Sequence, residues 1–451
     1  MIDNTALDKI NSDRAVEIFT GLYGKDEVDA ARLRYSSLIT QFNSLPESEL
    51  CSTDGALRFF SSPGRTELAG NHTDHNRGKV LAASIQLDSA AVVKKRSDNI
   101  VFFRSAGFPD VKIKLTNEDN KPALAPKPEE SGTTEALVRG IAAEFHKRGC
   151  LAGGFSACAE STVLPGSGLS SSAALEVLTG RIFDSLYDSG KKSALEIAQI
   201  GQIAENQYFG KPCGLMDQTA CAAGGAVAID FADALKPIVK QINFDLDSAA
   251  YILCVVNTGG SHADLTSDYA SIPSEMKSVA AFFGKTVLRE INMEILTGSA
   301  KEIRKTLGDR ALLRAIHFFD ENVRVDAMTE TLQEMEKTAS GSLKQKSLCQ
   351  YMDMVNESGD SSWELLQNVF SPGCPRNQGI AAALALTKDF FRRQKIRGAC
   401  RVHGGGFAGT IQAYLPKDAF KTFRARIESV FGEGSVTPLR IRPVGAAELI
   451  F

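Results

Sequence analysis

The sequence predicts an α+β protein built as two lobes. Helix-periodic and strand-like stretches intermingle without the regular βα alternation of a doubly wound or barrel sheet. The 451 residues exceed the ~250–300 at which a single core stops growing, and length alone allows roughly two to four domains. No internal repeat or low-complexity tract suggests another organisation. A lobe boundary falls within 235–250 and divides the chain into 1–245 and 246–451.

Each element has its own signal. Residues 1–50 read as helical and polar, with Val28, Ala31, Leu33, Tyr35 and Leu38 as a loose apolar stripe. Residues 57–60 are a short apolar run before a Pro63-Gly64 turn signal. The runs VLAASI and AAVVKK, the turn Ser97-Asp98-Asn99 and the run IVFF predict a β-hairpin within 80–103. Residues 117–132 are polar and proline-rich, a surface excursion too short for a domain linker. Helical text covers 134–148. Helical spacing then recurs through Ala174, Leu178, Ile182 and Leu186, and again through Ile197, Ile200, Ala204 and Tyr208. Residues 225–231 and 251–256 are continuous apolar runs of strand length. Residues 275–370 are mostly helical, 380–393 form a further helix and 411–415 a further strand.

Composition excludes several classes of function. Lys plus Arg is 51 against 54 Asp plus Glu, a formal net charge of −3, which argues against binding nucleic acid by bulk charge. The 43% hydrophobic and 23% charged content is ordinary for a soluble globular protein. No run of ~18 apolar residues is present, so no membrane span is expected. The polar, acidic start MIDNTALDKINSDRA has no secretory core. The nine cysteines form no C-x-x-C pair and are odd in number. Neither a disulfide framework nor a structural zinc site is expected, and a reducing cytoplasm is the natural setting. No coiled-coil or interface stripe is evident, so a monomer is the default.

Three constellations carry chemistry. In the first, Leu164-Pro165-Gly166-Ser167-Gly168-Leu169-Ser170-Ser171-Ser172-Ala173-Ala174 runs small residues straight into a helix. A helix start leaves about four amide donors unpaired and carries partial positive charge. Glycines admit a polyanion to that backbone, so the segment reads as a phosphate cradle, whose serine hydroxyls could ligate a metal bridging the phosphates. It is not a Walker A loop, because no G-x-x-x-x-G-K-[ST] occurs. In the second, Pro63-Gly64-Arg65-Thr66-Glu67-Leu68-Ala69-Gly70-Asn71-His72-Thr73-Asp74-His75-Asn76 crowds polar groups into a turn-rich span that suits a polyol. An exposed polar loop is the bland alternative, and a His72/His75 metal pair lacks a third ligand at motif spacing. In the third, Arg401-Val402-His403-Gly404-Gly405-Gly406-Phe407-Ala408-Gly409-Thr410 is a glycine run that could equally be a tight turn. Between them stands Pro212-Cys213-Gly214-Leu215-Met216-Asp217-Gln218, with Glu205 on the preceding helix. Asp217 is either an acceptor facing a cleft or a helix cap. A serine plus one carboxylate is a sparse shell of the kind that suits Mg²⁺.

Together and in this order, these stretches resemble the GHMP small-molecule kinase superfamily and, within it, the galactokinases. The galactokinase signature G-R-x-N-x-x-G-E-H-T-D-Y-N stands here as GRTELAGNHTDHN, residues 64–76. LPGSGLSSSAALE, P-C-G-x-M-D-Q and RVHGGGFAGT match as well, and His262 to Tyr269 keeps the family's H-x₆-Y spacing. The likeness spans about residues 55–415. It implies an N-terminal lobe like domain 2 of ribosomal protein S5, an α/β C-terminal lobe, and an active site between them. It implies an ATP-dependent sugar 1-kinase making galactose 1-phosphate, with ATP on Pro165, Gly166, Ser167, Gly168, Leu169, Ser170, Ser171, Ser172 and Ala173. Mg²⁺ would take Ser172 and Glu205. Asp217 would be the base or orienting acceptor at the C1 hydroxyl. Arg65 would lie beside that hydroxyl and the γ-phosphate. Asn71, His72, Asp74, Gly214, Tyr269 and Glu67 fall at sugar-binding positions.

Three residues depart from the family pattern. Asn71 replaces the glutamate before His-Thr-Asp, Glu67 replaces the asparagine two residues after the arginine, and His75 replaces a tyrosine. In galactokinases that glutamate is associated with the sugar's C6 hydroxyl. An amide there excludes an altered C6 less, so galacturonate, N-acetylgalactosamine and arabinose stand as alternative substrates. Alternatively the exchange is compensatory, with Glu67 reaching the same hydroxyl. A non-catalytic sugar- and ATP-binding regulator expects a damaged loop or a missing base, and neither is found. A zinc or redox protein lacks ligand spacing.

Overall fold

Two sheets organise the chain, whose computed structural model describes residues 4–50, 53–150, 153–163, 168–260, 265–338 and 341–451. The first contains β1 (Thr53–Ala69), β2 (Lys79–Arg96), β3 (Ile100–Ser105), β4 (Val111–Lys114), β5 (Phe155–Ser161), β6 (Ala226–Asp230) and β7 (Ile238–Ile242). The second contains β8 (Tyr251–Asn257), β9 (Ala399–His403), β10 (Thr410–Pro416) and β11 (Val436–Leu439), while β12 (Ala447–Leu449) returns to the first. The first sheet runs β12-β1-β2-β5-β3-β4, with β6 on β2 and β7 on β6; the second runs β11-β8-β10-β9.

Period-2 alternation explains why the long strands read as unbroken apolar text. Phe59, Val92, Phe102 and Cys158 face one way, against α1 (Asn4–Ile10), α2 (Asp13–Tyr23), α3 (Val28–Asn43) and α4 (Glu47–Leu50). Phe60, Val93, Val101, Phe103 and Ala157 face the other. That second face packs on α5 (Thr134–Lys147), α6 (Ser171–Tyr187), α7 (Ala194–Ala204) and α8 (Met216–Ala223).

The C-terminal lobe adds α9 (Thr266–Phe282), α10 (Met293–Gly298), α11 (Ala300–Leu307), α12 (Asp309–Lys337), α13 (Ser342–Ser361), α14 (Gly379–Gln394) and α15 (Phe420–Phe431). A core shared by the two lobes joins Leu68, Leu81 and Ile85 to Leu253, Met328, Leu332, Tyr351 and Tyr414. Among the described residues, no helix is long and apolar enough to cross a membrane.

Three local expectations need correction. The Pro63-Gly64 signal is not a turn: β1 runs straight through it, and a register shift against β2 between Pro63 and Arg65 absorbs the irregularity. The predicted hairpin is split. VLAASI and AAVVKK belong to one strand, β2, and β5 lies between β2 and β3, antiparallel to the former and parallel to the latter. Leu33 leaves the α3 stripe and is exposed, while Val28, Ala31, Tyr35 and Leu38 are buried as expected.

Candidate active site

β1 delivers the decisive side chain. Arg65 Nε donates to Asp217 Oδ1 at 2.7 Å and Nη2 to Oδ2 at 2.6 Å, a bidentate pair. Its Nη1 donates to the Gly168 carbonyl, and its backbone N–H to the Leu169 carbonyl at 3.1 Å. Gly64 permits this closeness, since a Cβ there would lie 2.8 Å from the Leu169 oxygen. Asp217 sits in the first turn of α8, where the helix dipole favours a carboxylate. Burial pushes its pKa up. The Arg65 charge and the hydrogen bonds from Arg65 and Ser170 outweigh that and hold it below the ordinary carboxylate range.

The phosphate segment ends in α6. Ser170, with φ 59°, precedes the helix, and its hydroxyl donates to Asp217 rather than capping α6. Among the described residues, no side chain therefore caps the first-turn amides at Ser171, Ser172 and Ala173, and no acidic residue occupies that turn. Pro165, Gly166 and Ser167 lie outside the described residues, as does His262. Beside Ser171 and Ser172 opens a cavity of about 320 Å³ lined by Phe103, Phe108, Pro109, Leu137 and Leu175.

Ser172 Oγ faces Glu205 Oε1 at 3.3 Å. Glu205 opens a π-helical turn, Glu205–Phe209, that ends the α7 helix. Lys211 Nζ lies 3.1 Å from Glu205 Oε1. Gln218 Nε2 donates to both Glu205 Oε2 and Glu176 Oε2 at 2.9 Å. Among the described residues, the buried Glu176 Oε1 has no hydrogen-bond partner. Burial, then the neighbouring Glu205, raises the Glu176 pKa well above the usual carboxylate value.

The turn after β1 carries the polyol-type residues. Asp74 opens a short 3₁₀ turn, Asp74–Asn76, and abuts Gly214, where a Cβ would lie 1.9 Å from Asp74 Oδ2. His72, with φ 60°, donates from Nε2 to the Gly405 carbonyl at 2.9 Å. Burial lowers its pKa to about 4, so the ring is neutral at pH 7. Tyr269 donates to the Gly406 carbonyl at 2.9 Å and meets Phe407 edge-on.

Glu67 and Asn71 lie in a buried layer beneath this turn. Glu67 is 3% exposed and pairs with Arg401 at 2.5 Å. Asn71 Nδ2 donates to Glu67 Oε1 at 3.0 Å and to the Gly404 carbonyl at 2.6 Å, while its Oδ1 accepts from Asn368 Nδ2 at 2.7 Å. His403 Nε2 accepts the Glu67 N–H at 3.3 Å, which places its proton on Nδ1, facing Thr410 Oγ1 at 3.0 Å. Burial, and then the charges of Arg65 and Arg401, lower its pKa to about 3.

The chain is similar to known proteins. Residues 49–95 match the family model described as "Galactokinase galactose-binding signature", and residues 136–225 match "GHMP kinases N terminal domain". A galactokinase of Streptomyces coelicolor is 30% identical over 385 residues, 85% of this chain and 90% of that one. The chain belongs to the galactokinase family. A Clostridium tetani galactokinase is 28% identical, covering 84% of this chain and 89% of its own. The fold matches that of Lactococcus lactis galactokinase complexed with galactose, with a TM-score of 0.70 at 24% identity, covering 87% of this chain and 95% of that one. It also matches Methanococcus jannaschii mevalonate kinase, with a TM-score of 0.56 at 14% identity, covering 86% and 99%.

Membership makes the chain a sugar kinase, a phosphotransferase with an alcohol acceptor that uses ATP, on the two-lobed GHMP fold. Arg65 and Ser170 meet at Asp217, and Ser172 faces Glu205; Asn71 faces Glu67, which pairs with Arg401. Sequence reasoning misses Glu176, Lys211 and Asn368, and sees Arg401 and His403 only within a glycine motif. Most of these partners lie far along the chain. The one local signal is a charged and a titratable residue within the fully buried strand β9.

Proposed function

We propose that the chain transfers the γ-phosphoryl group of ATP to the C1 hydroxyl of galactose, giving ADP and galactose 1-phosphate. The bidentate Arg65–Asp217 pair, joined by Ser170 at the start of α6, carries this reading. Asp217, kept ionised by Arg65, orients the sugar hydroxyl and accepts its proton as the phosphoryl group transfers. Arg65 cannot lose its own proton and stabilises charge on the transferring oxygens. In a loose phosphoryl-transfer transition state, this positioning and charge stabilisation carry most of the catalysis. The ATP phosphates rest on the amides of residues 165–173, and the base enters the apolar cavity beside Ser171. His72, Asp74 and Tyr269 surround the sugar, with Gly214 giving Asp74 room. Glu67 and Asn71 shape that surface from below.

Mg²⁺ fits the remaining corner. Ser172 and Glu205 offer two hard oxygens, and the buried Glu176 Oε1 beside them has no hydrogen-bond partner among the described residues. Those two residues would hold the ion, which supplies charge neutralisation to the phosphates. The same reading has a cytoplasmic monomer acting on two small molecules, with no nucleic-acid or membrane partner. It divides the lobes at 245/246, while residues 447–449 pair with β1 of the first sheet.

A sugar panel with ADP release as readout tests the substrate. Galactose is expected to give the largest kcat/KM among galactose, galacturonate, N-acetylgalactosamine and arabinose. A larger value for another sugar would replace galactose. Binding of sugar and ATP without ADP release would make the chain a regulator.

A further inference from the structure

One face of α12 lies directly under the turn that carries His72 and Asp74. Glu321 and His317, one helical turn apart, are both fully buried. Glu321 Oε1 accepts the Gly70 N–H at 3.0 Å and the Ser358 hydroxyl at 2.6 Å, and its other oxygen pairs with Arg324. His317 Nε2 faces the Asn71 carbonyl at 3.0 Å, and its Nδ1 faces the Ser361 hydroxyl at 2.8 Å. A carbonyl only accepts, so Nε2 carries the proton and Nδ1 accepts from Ser361. The next residue on the helix, Asn322, accepts the Lys79 N–H at 2.6 Å. Main-chain groups at both ends of the turn, 70–71 and 79, are therefore bound by three side chains of α12.

The turn depends on such support. Gly70, His72 and Arg77 all have positive φ, at 91°, 60° and 59°. Non-glycine residues hold that conformation only where the surroundings impose it. Glu67, the Gly404 carbonyl and Asn368 grip the side chain of Asn71; α12 grips the main chain. Among the described residues, neither His317 nor Glu321 is hydrogen-bonded to the phosphate segment.

We propose that His317 and Glu321 are positioning residues for the sugar site, fixing the Gly70–Asn71 main chain so that His72 and Asp74 meet the substrate in one geometry. The inference rests on the reading of that turn as the sugar site. Removing either group leaves a buried main-chain partner unpaired and frees the turn to shift, and a displacement of ~1 Å in a positioning element costs about 10²-fold in reactivity.

The test is steady-state kinetics on the full chain with galactose and ATP varied separately. His317→Leu and Glu321→Leu are expected to raise the sugar KM about tenfold or more while the ATP KM stays within about twofold. His317→Gln keeps a donor for the Asn71 carbonyl and Glu321→Gln keeps an acceptor for the Gly70 N–H, so both are expected to recover to within about threefold of wild type. Should the leucine variants fail to fold, Ser361→Ala and Ser358→Ala carry the test. They loosen the same two side chains and are expected to raise only the sugar KM, about threefold. An unchanged sugar KM, or sugar and ATP KM values rising together, overturns the proposal. A wild-type chain that turns over no sugar overturns the reading of the turn itself, and this inference with it.

Discussion

Asp217 and Arg65 neutralise one another inside the cleft, so changing either alters the partner's environment. Asp217→Asn preserves shape but removes the charge that accepts a proton. It is expected to lower kcat by about 10²–10⁴-fold, measured by ADP release, with little change in melting temperature. The buried imidazoles set a pH dependence of stability. His72 and His403 are held near pKa 4 and 3, against 6.5 when unfolded. Folding favours their neutral forms, so that stabilisation is complete above about pH 6.5 and drains away as pH falls toward the folded values. Thermal melts between pH 7.5 and pH 4 should show a falling midpoint. Replacing His403 by Gln should flatten that fall; an unchanged slope would contradict the assignment. The residues of the candidate site were legible because the motifs name them. Position 71 was legible as a departure from the family but not in its consequence, because the groups that engage its amide, Asn368 and Gly404, come from the far end of the chain.

At the level of elements, the sequence predicted helices better than strand partners. The 134–148 and 380–393 helices stand within a few residues of expectation. The hairpin did not, because β5 enters between β2 and β3 from some fifty residues downstream of β3, and no local signal announces a non-local neighbour. The text of β2 also breaks at Asp88, which reads as a polar gap between two strands. In the fold, Arg34, Arg442, Tyr23 and Ser61 satisfy that carboxylate, so the strand passes through unbroken. Burial would raise its pKa, but the two arginines hold it below the ordinary value. Between sheets, β1 and β9 meet through Glu67 and Arg401, both buried. Arg401→Leu strands a buried carboxylate and is expected to cost about 3–5 kcal/mol in denaturant unfolding. A loss below about 1 kcal/mol would show that Glu67 finds another partner or a proton.

Over the whole molecule, the lobes are joined rather than merely adjacent. Their common core and the Glu67–Arg401 pair cross the same boundary, so urea unfolding followed by near-UV and far-UV circular dichroism should give one coincident transition. Two separated midpoints would indicate that the lobes unfold independently. The closing strand has a consequence for biosynthesis. β12 lies at the edge of the first sheet beside β1, Arg442 reaches Asp88, and Phe451 packs on Phe19 and Phe59. A ribosome makes the N-terminal sheet early but supplies its last strand only after the second lobe has been translated. Until then the nascent chain carries an open β edge and an uncovered aromatic cluster, both invitations to aggregation. A nascent chain stalled at residue 440 is therefore expected to bind a holdase chaperone that ignores the released full-length chain.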